Sequence, residues 1–418
     1  MTAQTLTLSA SPVRTVKERI QVLDVLRGFA LFGILLAHLS NEFAAGPLPN
    51  EVYQSGSVID NIANAISGIL VQGKFYAIFS FLFGLSFALQ LEQAKSKGGN
   101  FFGRYAWRLV ILGIIGTIHH LHWRGDILTI YVILGFVMLL FHNISTKVLL
   151  IVAVLLILNT PGRITEIYRA VTAKPDSAAA QQQKPDETTA RQYYDVITKG
   201  SYSENLIANF YGFKDKAEFQ VMSGRIYMTL GYFLMGLYMG RRKLFEKLAQ
   251  HKLFFKKLFK YCGFATLGLI GIAIIIFAAV MPLLQLQDNP YMNIMGGGLY
   301  DSANAALTFF YIAGVTLLFT NPVWTNKLSL LAPVGKMALT NYLLQTAIGL
   351  LLFQGYGLGL FFKMGVAAAT ALTIPIFIAQ VLFSKWWLSR FQYGPVEWLW
   401  RFLTYFKLPP MTRNQIVA

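Results

Sequence analysis

The chain has 418 residues, of which 55% are apolar and only 13% charged, and its mean hydropathy is +0.51. Soluble domains carry roughly twice that charged fraction, which excludes a secreted domain, a disordered chain and most cytosolic enzymes. The formal charge of +17 comes from 36 Lys and Arg against 19 Asp and Glu. It would suggest nucleic acid in a soluble protein, but here the basic residues crowd into short loops, where they set topology and meet anionic lipid.

The first apolar run carries Asp24 and Arg27 and continues past signal-peptide length, so it is expected to remain as a helix. Ten spans follow from the apolar runs, at approximately 22–42, 73–92, 105–122, 126–143, 146–161, 223–241, 261–283, 297–320, 330–354 and 358–384. The fold class expected is therefore all-α, a polytopic membrane bundle of about ten transmembrane helices. With the N-terminus cytoplasmic, the cytoplasmic segments hold Arg14, Lys17 and Arg19, then Lys95, Lys97, Arg104 and Arg108, then Lys147, the run from Arg241 to Lys260, Lys327, Lys336 and the basic tail. The short outer loops hold few, Lys74, Arg124 and Lys363 among them, and an even span count returns the C-terminus to the cytoplasm. The single Cys262 has no cysteine partner for an intrachain disulfide or a metal site.

Three regions are expected: an N-terminal membrane half over 1–161, a polar extracytoplasmic insertion over 162–220, and a C-terminal membrane half with a basic tail over 221–418. The insertion includes the low-complexity AAAQQQKPDETTA stretch and SYSENLIANFYGF, read either as a spacer or as a short helix over the outer mouth. Arg241 to Tyr261 reads as a basic amphipathic helix along the inner leaflet. GKFYAIFSFLFGL from Gly73 and GRIYMTLGYFLMGL from Gly224 echo one another.

An ionisable residue inside a span costs several kcal/mol, or about 2 to 4, unless it is paired or faces water, so such residues are the first candidates for function. Asp24 and Arg27, three apart in LDVLRGFALFGILLAHL, share a face of the first span and neutralise each other, with His38 on the far side. They form either a polar floor for a charged ligand or an orienting ion pair. Gly28 and Gly33 leave that helix thin enough for close packing.

In GTIHHLHWRGDILTIY a very short turn clusters His119, His120, His122, Trp123, Arg124 and Asp126 at the outer end of the bundle. A histidine near neutrality takes a proton from an amine or hydroxyl, and Asp126 would fix its tautomer. Interfacial aromatic belts and a zinc site are the alternatives, the latter without a recognisable metal-ligand pattern. Arg104 and Arg108 share a helical face at the cytoplasmic mouth and either hold phosphates or anchor the span to lipid. Asn341 and Gln345, four apart in GKMALTNYLLQT, give a polar stripe, and Glu397 and Arg401 in YGPVEWLWRFLTY repeat that spacing after Pro395 as a clamp on the tail.

Five ordered motifs, LDVLRGFALFGILLAHL, FYAIFSFLFGLSFAL, GTIHHLHWRGDILTIYVILG, GKMALTNYLLQT and YGPVEWLWRFLTY, together resemble the YeiB-like bacterial inner-membrane proteins, whose C-terminal half is a domain of unknown function. That family is distantly similar to transmembrane acyltransferases such as heparan-alpha-glucosaminide N-acetyltransferase. The resemblance aligns Asp24, Arg27 and Gly28 with its Asp-Arg-Gly motif, and His119, Gly125 and Asp126 with its His and Gly-Asp-Ile-Leu motif. Arg108 falls on the second member of its basic pair; Asn341, Gly394, Pro395, Glu397 and Trp398 fall on its C-terminal signatures. Trp107 stands where the family often has the other Arg, and His38 where it often has Asn; no His here falls on the catalytic His of the amino-sugar acetyltransferase motif.

The function the resemblance implies is transfer of an acyl group from cytoplasmic acyl-CoA, the expected co-substrate, to a hydroxyl or amine acceptor. His119 and Asp126 would be catalytic; Asp24, Arg27, Arg104 and Arg108 would hold the CoA; His38, His120, Trp123, Asn341 and Gln345 would line the substrate path; no metal is expected. A transporter of a small polar solute is the alternative, and a non-catalytic scaffold a third class. Expected partners are membrane lipid with its anionic inner leaflet, a small-molecule substrate and, in a homo-oligomer, further copies of the chain, with no nucleic acid. The expected location is the bacterial inner (cytoplasmic) membrane.

Overall fold

The computed structural model describes residues 20–54, 56–97, 101–172, 187–286 and 289–412. Arg14, Lys17 and Arg19 and most of the AAAQQQKPDETTA stretch lie outside the described residues. Within them the chain is helical, with one isolated bridge between Phe391 and Thr412.

The first half runs α1 (Gln21–Ser40), α2 (Asn50–Gln54), α3 (Val58–Leu70), α4 (Phe75–Lys97), α5 (Phe101–His122), α6 (Leu128–Leu139) and α7 (Thr146–Ile157). Next come α8 (Thr160–Thr172), α9 (Glu187–Lys199), α10 (Tyr202–Tyr211) and α11 (Phe213–Met222). The second half runs α12 (Arg225–Arg241), α13 (Leu248–Ile275), α14 (Met281–Leu283), α15 (Pro290–Phe319), α16 (Pro322–Leu328), α17 (Ala332–Lys336), α18 (Ala338–Phe353), α19 (Val366–Ala371), α20 (Thr373–Arg390) and α21 (Pro395–Tyr405).

Each of the ten apolar runs contains a helix, although the last is helical only from Val366. Six helical stretches are long and apolar enough to cross a membrane, or up to 8 if each bent pair counts as one span. The bent pairs are α7 with α8, at 49°, and the stretch Pro322–Lys336 with α18, at 79°. The two runs that fall short are α6, with 12 residues, and α12, with 17. α6 is short because the chain needs several residues beyond His122 to turn, and Asp126 delays the helix until Leu128 by accepting from the Leu128 and Thr129 N–H groups.

Glycines set the closest packing. A Cβ on Gly84 would lie 1.9 Å from the Phe233 carbonyl oxygen, and one on Gly236 would lie 2.0 Å from that of Phe81. The two echoed segments thus pack α4 on α12 reciprocally, each glycine receiving the other helix's backbone, with the Phe83 and Phe233 rings stacked 4.6 Å apart between them. Both segments start on a glycine with positive φ, Gly73 at 86° and Gly224 at 68°. α1 is held in the same way against α17 and the turn before it: a Cβ on Gly335 would lie 1.8 Å from the Asp24 carbonyl oxygen, and one on Gly28 2.3 Å from that of Leu331.

The segment after Arg241 differs from expectation. α13 begins at Leu248 and continues without a break into the membrane-spanning stretch Leu248–Leu283, only 6% of whose apolar window is buried. No Pro or Gly interrupts the chain between Leu248 and Cys262, so the lysine-rich part is the first turns of a lipid-facing helix, not a separate one on the leaflet. Arg241 instead turns back, donating to the carbonyls of Phe141, His142 and Ile144 beyond the end of α6.

The polar insertion is a helical cap. α9, α10 and α11 lie over the end of the bundle opposite the face where α1 begins, and α10 is the helix expected from SYSENLIANFYGF. Ser201 and Glu204 close a capping box at its start. Tyr193 of α9 accepts from Ala45 N–H, and α8 is tied to α15 by Arg163, 2.7 Å from Asp301.

Replacing Gly236 with Val should overpack the α4 and α12 contact and destabilise the chain by about 1–3 kcal/mol or more. Gly268→Val, at a glycine with open space around its Cα, should leave thermal unfolding in detergent unchanged; equal shifts in the two variants would refute the contact's importance.

Candidate functional site

A cavity of about 550 Å³ opens toward the face where α1 begins and runs into the bundle between α1, α4, α5, α18 and α21. Its mouth is charged: Asp24, Arg27, Arg108, Lys336, Glu397 and Arg401 all line it. Deeper in, the walls become apolar and aromatic, with Ile34, Phe79, Leu112, Ile127, Tyr131 and Tyr342. The lining thus carries four basic and two acidic side chains at one end and hydrocarbon at the other.

The mouth is assembled from groups far apart in sequence. Arg27 donates to Asp24 at 2.8 Å and to the Ser86 hydroxyl at 2.8 Å, bracing α1 against α4. Arg108 donates to Gln90 at 2.7 Å and lies 4.7 Å over the Trp400 ring. Arg401 stands over the rings of Tyr393 and Tyr405. Arg104, one turn before Arg108, is exposed above Tyr405 and does not line the cavity, and Trp107 donates its indole N–H to the Leu403 carbonyl.

Glu397 is the hinge between α21 and α18. The α17 and α18 helices break at Met337, which leaves N–H groups at the start of α18 without helical acceptors. Glu397 accepts from Leu339 N–H at 2.7 Å, Thr340 N–H at 3.0 Å and the Thr340 hydroxyl at 2.5 Å. Its carboxylate therefore meets the α18 N-terminus rather than Arg401, the partner its spacing suggested. A Cβ on Gly394 would fall 2.1 Å from Glu397 Oε2, so a side chain there would have to displace the carboxylate.

Beyond the inner end of the cavity lies a second cluster. His119 is buried with both ring nitrogens engaged, Nδ1 with Asp126 Oδ1 at 2.8 Å and Nε2 with Thr346 Oγ1 at 2.9 Å. Its ring centroid is 5.0 Å from that of Tyr342, and the Tyr342 hydroxyl accepts from Ile127 N–H at 3.3 Å. Tyr342 thus lines the cavity on one side and covers His119 on the other.

Asp126 is saturated with donors. Besides His119 it accepts from the N–H groups of Leu128 and Thr129, the Thr129 hydroxyl at 2.7 Å and the Lys216 ammonium at 3.2 Å. Lys216 comes from α11 of the cap and also reaches the Thr129 hydroxyl and His120 Nδ1. Burial pushes the Lys216 ammonium below its usual value, and the Asp126 carboxylate pulls it back up.

The three histidines of the motif go three ways. His119 turns into the bundle, His120 is buried under the cap against the Asn209 carbonyl at 3.0 Å, and His122 bonds the Tyr202 hydroxyl of α10 at 2.8 Å. Arg124 donates to Ala208 and Asn209 of α10. Trp123 is buried, donates to the Phe43 carbonyl at 2.8 Å and packs edge-on to His38. None of His38, His120 or Trp123 lines the cavity.

Asn341 and Gln345 are fully buried behind it. Asn341 donates to Ser384 of α20 at 2.9 Å and Gln345 donates to Gln380 at 3.0 Å and to the Leu31 carbonyl at 3.2 Å, so they join α18 to α20 and α1. Sequence reasoning missed Thr346, Tyr342 and Lys336, all within GKMALTNYLLQT, because it sought the stripe of amides there. It also missed Lys216, which only the folded cap brings to Asp126. Among the described residues no group of three or more His, Cys, Asp or Glu side chains is placed to hold a metal ion.

Burial raises the Glu397 carboxyl above its ordinary 4.5, with the Thr340 and Leu339 hydrogen bonds opposing it. A raised carboxyl binds its proton more tightly in the folded chain, so this group's contribution to stability is present at low pH and is lost as pH rises past the ordinary carboxylate range. Thermal unfolding in detergent at a series of pH values should show that decline, and Glu397→Gln should flatten it; an unaltered slope in the variant would assign the titration to another group.

Residues 239–407 match the family described as "Protein of unknown function (DUF418)". Over nearly its whole length the chain is similar to Uncharacterized protein YxaH of Bacillus subtilis (strain 168), at 34% identity over 97% of this chain and 99% of that one. It is 30% identical to Uncharacterized protein YeiB of Escherichia coli (strain K12), over 93% of this chain and 96% of YeiB. An uncharacterized 39.9 kDa protein in the amylase 3' region of Bacillus acidopullulyticus is 28% identical over 93% and 94% of the two chains. No solved structure matches the chain. With apolar helices of membrane-spanning length and full-length similarity to these bacterial proteins, the chain belongs to the YeiB-like family of polytopic helical membrane proteins.

Proposed function

We propose that the protein is a transmembrane acyltransferase that accepts an acyl-CoA from the cytoplasmic side and passes the acyl group to a hydroxyl or amine. The observation that carries this reading is the cavity itself: a cationic mouth, an apolar interior, and a buried His–Asp pair one side chain beyond its inner end. The mouth lies on the face that also carries Lys95, Arg104, Lys147 and the lysines at the start of α13, which the positive-inside rule makes cytoplasmic, here that of a bacterial inner membrane.

In this reading Arg108, Arg401, Lys336 and Arg27 receive the phosphates of the CoA, and Trp400 and Tyr405 offer faces for its adenine. The acyl chain follows the apolar wall toward Tyr342. Asp126 fixes the His119 ring with Nδ1 protonated, leaving Nε2 to take a proton.

A second reading, transport of a polar solute, draws on the closure of the far end by the cap and on the break between α17 and α18, since interrupted helices commonly bound solute sites. Flux of a solute across proteoliposomes without consumption of acyl-CoA would favour it.

Titration of the purified protein with acetyl-CoA should show binding, and Arg108→Ala should weaken it roughly 10- to 100-fold, the size expected for losing a charged hydrogen bond of about 1.5–3 kcal/mol. His119→Ala and the more conservative His119→Gln should lower acyl-CoA consumption about 10²- to 10⁴-fold with binding retained. Failure of the wild-type chain to bind any acyl-CoA would remove the reading.

A further inference from the structure

The hydroxyl of Thr346 belongs to an arrangement that general acid–base catalysis by His119 alone does not require. Asp126, His119 and Thr346 stand in line, carboxylate to Nδ1 at 2.8 Å and Nε2 to Oγ1 at 2.9 Å. All three are buried, so water does not compete for these bonds. Asp126 accepts from four further donors and is therefore held as an acceptor, so Nδ1 must carry the ring proton. Nε2 then has only a lone pair to offer, and the Thr346 hydroxyl donates to it. This is the polarity of an activated hydroxyl nucleophile: an acceptor-only carboxylate, an imidazole fixed as base, and an O–H pointed at that base.

The rest of the surroundings are consistent with chemistry at that oxygen. Thr346 lies one helical turn beyond Tyr342 on α18, on the same face, and Tyr342 lines the cavity. The Tyr342 ring centroid is 5.0 Å from that of His119. A threonine placed only to pack, or to satisfy the helix, would bond its own i−4 carbonyl well; here the Tyr342 carbonyl is 3.4 Å away and the histidine nitrogen is nearer.

Building on the acyltransferase reading above, we propose that Thr346 is the nucleophile of a two-step transfer and carries the acyl group as an ester between donor and acceptor. In the first step Thr346 Oγ1 bonds to the thioester carbonyl carbon while its proton passes to His119 Nε2. The carbon–sulfur bond breaks, and the departing thiolate takes that proton and leaves as free thiol. In the second step the acceptor's O–H or N–H gives its proton to Nε2 as the acceptor bonds to the acyl carbon. The Thr346 ester bond breaks, and the alkoxide recovers the proton. Each step returns the imidazole to its starting form and needs no oxidant or reductant. Such a relay lets the donor leave toward one side before the acceptor arrives, so a cavity open at one face suffices for the first half of the reaction.

The test uses the full chain in lipid nanodiscs, with acetyl-CoA and, in parallel, palmitoyl-CoA, and no acceptor. The result expected is a burst of free CoA thiol approaching one per chain, a matching rise in intact mass, and a hydroxylamine-labile acyl group mapped to Thr346 by fragmentation. Thr346→Ala should lower that incorporation at least 100-fold, Thr346→Ser should retain it, and His119→Gln should lose it. Thermal unfolding of each variant and its acyl-CoA titration establish that the fold and the cavity are kept. If acyl-CoA binds but thiol appears only when an acceptor is added, with no ester on the chain, the covalent step is overturned and direct transfer stands. An acyl group on another residue, unaffected by Thr346→Ala, also overturns it. Absence of both binding and thiol release removes the acyltransferase reading together with this one.

Discussion

An ionised carboxylate cannot sit in a dry helical bundle without donors around it, and the way Asp126 meets that requirement organises one whole end of this protein. Its oxygens draw in the first N–H groups of α6, the imidazole of α5 and the ammonium of α11. Three parts of the chain, two of them helices of the bundle and one in the polar insertion, are therefore joined at a single side chain. Removing one partner of such a buried network costs more than the lost bond, because the groups left behind remain desolvated. The cap is thus held to the bundle through the same carboxylate that orients His119, and the position of a surface domain and the tautomer of a buried ring are coupled.

The other end is governed by backbone geometry. Gly28 and Gly335 bring α1 and α17 into backbone contact, which sets Asp24 and Arg27 beside the break at Met337. The break exposes N–H groups that a continuous helix would have satisfied, and Glu397 supplies acceptors for them from α21. In this way the cavity acquires its floor: α21 is drawn across the mouth by a carboxylate that the break itself makes necessary. Trp398, whose indole donates to the Pro409 carbonyl, and Gln392, whose N–H donates to the Met411 carbonyl, strap the following segment against it. Polar groups in lipid are costly wherever they are unpaired, so each irregularity in a span calls for a compensating group elsewhere.

Much of this was legible in the sequence, for reasons that differ from place to place. The apolar runs located the main helices of the bundle, because long apolar stretches fold as helices in lipid, although six to eight of them rather than ten are long enough to span. Asp24 with Arg27 and His119 with Asp126 were found because local spacing on a helix or across a tight turn already places them together. Lys216 was not found, since it is 90 residues from Asp126 and stands in a stretch whose composition suggests a spacer. Glu397 was read with Arg401 because i to i+4 pairing is visible along a helix, whereas a helix break 60 residues earlier is not. Arg104 and Arg108 looked equivalent on one face, but only the turn nearer the bundle lines the cavity. The polar stripe of Asn341 and Gln345 was visible, and its partners Ser384 and Gln380 were not, because they belong to another span.

The arrangement of polarity along the cavity bears on why the two ends differ in kind. At the mouth the charged groups touch the open volume, with Arg108 over Trp400 and Arg401 over Tyr393 and Tyr405, so they can be reached by a ligand. At the far end the charged groups are turned on one another and closed off by Tyr342 and the cap. A binding mouth gains from accessible cations, which exchange water for phosphate or carboxylate oxygens at modest cost. A reactive imidazole gains from the opposite, since excluding water strengthens its bonds and preserves its tautomer until a reactant arrives. The separation leaves reachable cations at one face and a closed His–Asp pair in the interior, with an apolar wall between them.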